Sequence, residues 1–186
     1  NNFKKNRNFF YKIRESFLSI FISSYEKDII SILDIGGGFN NIYDFITNSS
    51  TKKIDVTVLE TQMIVDLMKP ETKDIQNLDY IEDIDYTQKN FDIIYFGTSF
   101  QYFITLEEFL SKIFKLKAKY IVIADTIFLE KRNSLITLQI NTFPSIIPQK
   151  FNNIDEVINL FRNNNYNLIY KSKRKPGKHN ILKKNE

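Results

Sequence analysis

Short apolar runs alternate along this chain with segments in which apolar residues recur every three or four positions. The runs are rich in β-branched residues and predict five strands, at residues 31–35, 54–60, 78–81, 91–96 and 119–125. The helical spacing predicts helices at residues 40–48, 61–68, 105–116 and 153–163. Strands that alternate with helices in this way predict a parallel sheet with helices on both faces.

The two ends of the chain extend this pattern. Apolar positions that include Phe17, Ile20 and Phe21 predict an amphipathic helix within residues 1–30, packed on the sheet; a membrane-surface helix or a lid is the alternative. A Pro-Gly turn at residues 176–177 predicts an antiparallel hairpin at the sheet edge. The predicted fold class is α/β, a Rossmann-like doubly wound sheet, mostly parallel, with a C-terminal hairpin, in one domain over residues 1–186.

The strongest local signal lies at the end of the first predicted strand. Residues 31–40 read Ser-Ile-Leu-Asp-Ile-Gly-Gly-Gly-Phe-Asn, a buried strand that breaks into glycines before a helix. Glycine accepts positive φ and lets a ligand approach the backbone, and free N–H groups at a helix start favour an electron-rich or anionic ligand. Asn41 stands where a dinucleotide motif has its third glycine, and no Gly-Lys-Ser/Thr follows, which excludes a P-loop.

This turn also resembles a motif of one enzyme family. The pattern Asp34-x-Gly36-x-Gly38 is similar to the first motif of the class I S-adenosylmethionine-dependent methyltransferases, in which the third glycine falls at Asn40. The resemblance implies that the cofactor S-adenosylmethionine, and its product S-adenosylhomocysteine, bind along Asp34, Gly36, Gly37, Gly38 and Asn40. A glycine-rich turn without a ligand is the alternative.

Further cofactor-binding candidates follow the later strands. Glu60 ends the second strand, 24 positions after Gly36, where a carboxylate can accept hydrogen bonds from ribose hydroxyls; a helix-start charge is the alternative. In the methyltransferases the acidic loop after the third strand lies beside the adenine, which implies Ile81, Glu82 and Asp83, although a solvated loop fits equally. The fourth strand and the small polar turn after it also resemble the family, which implies that Gly97 and Thr98 border the methyl group.

The acceptor side is predicted at the ends of the fourth and fifth strands. Gln101, Tyr102 and Asp125 are the catalytic candidates there, because the chain's single histidine, His179, falls in the basic hairpin. Residues 126–152 contain two prolines and predict an irregular acceptor-side loop, whose apolar groups shield the reaction from water: Phe143, Pro144 and Phe151. The sequence shows no cluster of metal ligands, so no metal site is predicted.

A narrower resemblance concerns the substrate. Leu-Asp-Ile-Gly-Gly-Gly, Thr-Ser-Phe-Gln-Tyr and Ile-Thr-Leu-Gln at residues 136–139 are similar to segments of bacterial methyltransferases associated with capsule or lipopolysaccharide gene clusters. This resemblance implies O-methylation of a sugar, or of a sugar-linked phosphate or phosphoramidate, in surface polysaccharide biosynthesis. An RNA methyltransferase and a non-catalytic binding or scaffold subunit are the alternatives.

Composition and charge limit the possible partners. The chain has 186 residues, of which 42% are hydrophobic, and no cysteine, which excludes a disordered chain, disulfides and a thiol nucleophile. The net charge of +4 resides in the ends, because residues 1–14 and 171–184 carry five and seven basic groups without an acidic one. No segment predicts a secretory signal or a membrane span. We expect a cytoplasmic protein with a small-molecule, nucleotide-linked or glycan acceptor and no strong nucleic-acid site; its oligomeric state stays open.

Overall fold

The computed structural model describes residues 17–140 and 144–172. Within them a five-stranded sheet has the order β3-β2-β1-β4-β5, and all of its pairings are parallel. The strands are β1 (Ile29–Ile35), β2 (Lys53–Leu59), β3 (Leu78–Ile81), β4 (Ile93–Gly97) and β5 (Tyr120–Ala124). The predicted doubly wound sheet is confirmed, and its strand order reverses between β1 and β4, where such sheets bind ligands.

Helices cover both faces of this sheet. They are α1 (residues 17–23), α2 (Tyr43–Ser49), α3 (Gln62–Thr72), α4 (Leu106–Lys115) and α5 (Ile154–Arg162). Three single 3-10 turns follow strand ends, at Gly38–Asn40, Ile84–Tyr86 and Phe100–Tyr102. No helix among residues 17–140 and 144–172 is long and apolar enough to cross a membrane.

Two apolar clusters hold the helices to the sheet. On β1, Ile30 and Ile32 belong to the cluster under α1, α2 and α3, and Leu33 and Ile35 to the cluster under α4 and α5. This alternation follows from the two-residue period of a strand. The central strand is therefore buried on both faces, and its carboxyl end is held rigidly at the strand-order reversal.

The apolar face of α1 differs from the predicted one. Leu18 and Ile22 are fully buried, whereas Phe17 and Ile20 are exposed. Two neighbouring stripes of this helix are apolar, so helical spacing alone does not determine which one packs on the sheet. The sequence predicts that this helix packs on the sheet, with a membrane-surface helix or a lid as the alternative. Packing on the sheet is confirmed for the described residues of the helix.

The prediction of an irregular loop over residues 126–152 is wrong. These residues form a second sheet of order β6-β8-β7, with β6 (Phe128–Leu129), β7 (Leu135–Ile140) and β8 (Ile146–Asn153). Pro148 lies inside β8, opposite Leu138 of β7. Strand β6 pairs only with Asn152 and Asn153, so β8 has one neighbour at Pro148, and a proline is tolerated at such an edge position.

The predicted C-terminal hairpin lies largely outside the described residues, together with Lys173, Arg174, Lys175 and His179. Residues 166–172 form no strand. The Tyr166 hydroxyl donates a 2.8 Å hydrogen bond to the Ala118 carbonyl oxygen, which fixes the start of this stretch beside β5.

Candidate functional site

Three glycines make the turn between β1 and α2 possible. Gly36 and Gly38 have φ values of 71° and 59°, in the left-handed region that favours glycine. Gly37 lacks space for a side chain, because a Cβ there would lie 2.3 Å from Oδ2 of Asp34. A Cβ at Gly36 would lie 2.6 Å from Cβ of Ser99, in the turn after β4. The glycines therefore bring the β1 and β4 turns together at the strand-order reversal.

Asp34, near the end of β1, stabilises this turn. Its side chain is buried, with 1% exposure, and its Oδ2 accepts a 3.2 Å hydrogen bond from the backbone N–H of Ile42, just before α2. A buried carboxylate that faces a helix start stabilises that helix. Asp34 is therefore placed to position the turn, and its contact with the cofactor stays a prediction.

Glu60 connects the end of β2 to the glycine turn. Its Oε1 accepts a 3.0 Å hydrogen bond from the N–H of Gly38, and its Oε2 a 2.8 Å hydrogen bond from the N–H of Thr61. Each carboxylate oxygen can accept a second hydrogen bond. A Cβ at Gly38 would meet only Glu60 Oε1, at 3.8 Å, so the space above this glycine is open. Glu60 can thus accept hydroxyl groups from a ligand that lies on the turn.

Tyr80 is a supporting residue that the sequence analysis did not identify. It lies fully buried on β3, and its hydroxyl accepts a 2.6 Å hydrogen bond from Asn41 Nδ2 and donates a 3.2 Å one to the Gly38 carbonyl oxygen. Burial raises the pKa of Tyr80 to about 12. Asn41 Oδ1 in turn accepts a 2.9 Å hydrogen bond from the N–H of Tyr43. This network holds the carbonyl side of Gly38, while Glu60 holds its N–H side.

Replacement of Tyr80 by phenylalanine is expected to lower the free energy of unfolding by roughly 1–3 kcal/mol, because it leaves the buried Asn41 amide without its partner. Denaturant unfolding measures this change. Tyr86→Phe is the matched control, since Tyr86 is largely exposed and its loss of a hydroxyl should change stability little. Equal stability of the two variants would contradict a supporting role for the Tyr80 hydroxyl.

Asn40, at the third glycine position of the family motif, does not take a left-handed conformation. It lies exposed in the 3-10 turn Gly38–Asn40, and its φ is not positive. The same edge of the sheet carries three large apolar side chains that are more than half exposed, namely Phe39, Met63 and Tyr86. They follow β1, β2 and β3 respectively. The sequence analysis missed them, although their positions just after strand ends are a usable signal.

The two acidic candidates after β3 differ in their surroundings. Asp83 caps the 3-10 turn Ile84–Tyr86, where its Oδ1 accepts a 3.1 Å hydrogen bond from the N–H of Asp85, and Lys112 Nζ lies 3.5 Å away. The Asp85 hydrogen bond, with help from Lys112, lowers the pKa of Asp83. Glu82 directly follows β3 and is exposed. Of the pair, Glu82 is the better placed to meet a ligand at the strand ends.

Backbone strain marks the ends of β4 and β5. Thr98 and Asp125 have φ values of 70° and 50°, which cost a non-glycine residue about 1–2 kcal/mol. The Thr98 N–H donates a 3.1 Å hydrogen bond to the Ala124 carbonyl oxygen, so the two turns are joined. A Cβ at Gly97 would lie 2.6 Å from the Tyr95 ring. Such strain concentrates at functional sites, and both residues were candidates from the sequence.

The three catalytic candidates have different surroundings. The Tyr102 hydroxyl lies 3.1 Å from Gln139 Oε1 on β7, and Gln101 Oε1 is buried without a hydrogen-bond partner. Asp125 instead lines a broad hollow beside β5, together with Phe151, and neither Gln101 nor Tyr102 lines that hollow. The predicted shield is divided in the same way: Phe151 faces the hollow, Pro144 is exposed, and Phe143 lies outside the described residues.

Three buried polar atoms on the small sheet and in the turn after β4 have no hydrogen-bond partner in the described part of the chain: Gln101 Oε1, Thr137 Oγ1 and Asn152 Nδ2. Buried polar atoms are normally paired, so an unpaired group calls for a ligand or water. No three His, Asp or Glu side chains among residues 17–140 and 144–172 are grouped to hold a metal ion.

Several solved structures that are similar to this chain are S-adenosylmethionine-dependent methyltransferases. One from Clostridium acetobutylicum has a TM-score of 0.62 and 12% identity, and the match covers 91% of this chain and 88% of that one. A second structure is the 1,6-didemethyltoxoflavin-N1-methyltransferase of Burkholderia thailandensis with bound 1,6-didemethyltoxoflavin and S-adenosylhomocysteine. Its TM-score is 0.56 at 11% identity, and the match covers 84% of this chain and 67% of that one. The N-terminal domain of EvdMO1, solved with S-adenosylhomocysteine and D-fucose, has a TM-score of 0.57 and 9% identity, with 86% and 74% covered.

No protein-family model and no curated protein matches the sequence. At identities this low, the likeness to solved structures concerns the fold. The described chain has the Rossmann-like fold of the class I S-adenosylmethionine-dependent methyltransferases.

Proposed function

We propose that this chain binds S-adenosylmethionine on the turn after β1 and uses it as a methyl donor. The observation that carries the proposal is the Glu60 carboxylate, which lies 3.0 Å from the Gly38 N–H in a turn with two positive-φ glycines. Its remaining acceptor capacity suits the two hydroxyls of a ribose. The exposed apolar side chains after β1, β2 and β3 suit an adenine ring. The residues present therefore fit this cofactor.

The protein's own groups then have a limited chemical task. The bound cofactor supplies an electrophilic methyl group. The glycine turn and Glu60 would hold the nucleoside, and the strained turn at Gly97 and Thr98 would lie on the side of the methyl group. Exclusion of water and alignment of the acceptor supply the rest of the rate enhancement.

For the acceptor we propose a sugar, or a sugar-linked phosphate or phosphoramidate, used in surface polysaccharide biosynthesis in the cytoplasm. Gln101 and Tyr102 support this proposal, because an amide and a phenol can donate and accept hydrogen bonds with hydroxylated groups. A hydroxyl acceptor needs a general base, whereas a phosphate oxygen does not. Asp125 is the candidate base for an acceptor that reaches the hollow beside β5.

Replacement of Tyr102 by phenylalanine tests the acceptor side. We expect the apparent acceptor KM or kcat to worsen roughly three- to tenfold, the effect of one lost hydrogen bond, with unchanged affinity for S-adenosylhomocysteine. Release of S-adenosylhomocysteine in the presence of a panel of sugar nucleotides and sugar phosphates measures turnover. Tyr43→Phe is the control, since Tyr43 lies on α2 and does not line the hollow beside β5. Wild-type kinetics for both Tyr102→Phe and Gln101→Ala would place the acceptor elsewhere.

A further inference from the structure

Strand β7 is an edge strand that lacks the usual protection against pairing. Its residues, Leu-Ile-Thr-Leu-Gln-Ile, include no charge, proline or glycine, and all six pair with β8 in an unbroken register. In the part of the chain that the structure describes, no strand lies on its other side. Edge strands of natural proteins usually carry charges, prolines or bulges that prevent pairing. Among residues 17–140 and 144–172, nothing pairs with the outer backbone groups of β7, which can therefore receive another strand.

The outer face of β7 is apolar and open. Ile136, Leu138 and Ile140 point to the same side of the strand and are 55%, 69% and 66% exposed. Ile146, opposite Ile140 on β8, extends this face and is 52% exposed. The other face of β7 points inward, where Gln139 meets Tyr102. An open edge and an open apolar face therefore coincide on one strand.

We propose that β7 pairs antiparallel with β7 of a second copy of this chain, about a two-fold axis at Leu138. Residues 136–140 read Ile-Thr-Leu-Gln-Ile, a pattern of apolar and polar positions that is symmetric about Leu138. In this register Leu138 faces Leu138 of the partner subunit, and Ile136 faces Ile140 of the partner subunit. Thr137 faces Gln139 of the partner subunit on the polar side. Each cross-strand pair then joins two apolar or two polar side chains, and such pairs stabilise a sheet.

The pattern also disfavours a register that is shifted by one residue. A shift of one residue would place Leu138 on the same side of the joined sheet as Thr137 of the partner subunit, and would mix the two faces. The axis at Leu138 preserves both faces and is isologous, so the assembly closes at two copies.

A second copy suits this surface better than other partners. The strand carries no charge, whereas nucleic acid and anionic membranes are bound through clustered basic residues. Lys150, opposite Ile136, is the single charged residue of β8, and its Nζ lies 3.5 Å from the Ile104 carbonyl oxygen. An uncharged, self-complementary strand pairs with its own copy without like-charge repulsion.

Cysteine cross-linking tests the register, because the native chain contains no cysteine. In Leu138→Cys the two introduced thiols would face each other across Cα atoms about 4.5–5.5 Å apart, within disulfide range. Mild oxidation of the full chain should therefore give a covalent dimer. In Ile136→Cys the thiols would lie about 13 Å apart along the strands and should not cross-link. Leu67→Cys, exposed on α3, measures collisional cross-linking.

Light scattering on the full chain at tens of micromolar tests the association itself. Wild type should have twice the 22.1 kDa mass of one chain. Leu138→Lys should have the mass of one chain, because it places like charges opposite each other, and Leu67→Lys should keep the dimer mass. A single-chain mass for wild type would overturn the proposal. So would a dimeric Leu138→Lys, growth beyond two copies, or cross-linking of Leu138→Cys no faster than of Ile136→Cys or Leu67→Cys.

Discussion

Replacement of Gly37 by alanine is expected to abolish binding of S-adenosylhomocysteine and to lower the free energy of unfolding by roughly 2–5 kcal/mol. The new Cβ would lie 2.3 Å from Asp34 Oδ2 and 2.8 Å from its Cγ, so the buried carboxylate must move. Overpacking costs about 1–3 kcal/mol, and loss of the Asp34 hydrogen bond to Ile42 costs about the same. Both changes displace the turn on which the cofactor is proposed to lie.

Gly38→Ala is the matched control for this prediction. Gly38 has positive φ, but a Cβ there would meet only Glu60 Oε1, at 3.8 Å. Its replacement should cost about 1–2 kcal/mol of backbone strain without displacing Asp34. Denaturant unfolding and calorimetric titration measure the two quantities. A Gly37→Ala protein as stable as Gly38→Ala would show that the turn absorbs the clash.

Glu60→Ala is expected to weaken S-adenosylhomocysteine binding by roughly 1–3 kcal/mol, or about 5- to 150-fold, the scale of hydrogen bonds to a charged group. The variant removes the proposed ribose acceptor and the 3.0 Å contact with the Gly38 N–H together. Titration calorimetry on protein that unfolds cooperatively measures the affinity and excludes misfolding as the cause.

Glu60→Gln and Glu71→Ala separate the possible causes. Glutamine keeps one oxygen for the Gly38 N–H but removes the charge, so a partial loss of affinity would indicate direct ribose contact. Glu71 is exposed on α3, and its removal should leave affinity at the wild-type value. Unchanged affinity in folded Glu60→Ala would remove Glu60 from the proposed ribose site.

The sequence predicts the five-stranded sheet well because its strands are buried and locally patterned. Residues 31–35 and the β-branched run before Glu60 can be recognised as strands from the sequence alone. The small sheet was not predicted, because Pro148 suggests irregular structure. In the described residues β8 has only one neighbouring strand at Pro148, and a proline is tolerated at such a position. Likewise the helix predicted at residues 61–68 continues past Pro70 to Thr72, whose hydroxyl donates a 2.8 Å hydrogen bond to the Met68 carbonyl oxygen.

Some residues of the candidate site can likewise be predicted from the sequence, and others cannot. The glycines and Glu60 are predictable because their spacing reflects one strand–turn–helix unit and the strand beside it. Tyr80 is not predictable, because a tyrosine in a strand looks like an ordinary core residue until its hydroxyl is found beside Asn41 and Gly38. That Asp125 lines the hollow beside β5 and Tyr102 does not is equally a tertiary fact, because the sequence places both after neighbouring strands.

Calorimetric titration of S-adenosylhomocysteine into the full chain tests most directly whether the turn after β1 is a cofactor site. We predict saturable binding of one S-adenosylhomocysteine per chain, weakened in Glu60→Ala and lost in Gly37→Ala. Wild-type protein that folds cooperatively and shows no saturable binding would contradict the proposed site, as would equal binding by wild type and Gly37→Ala.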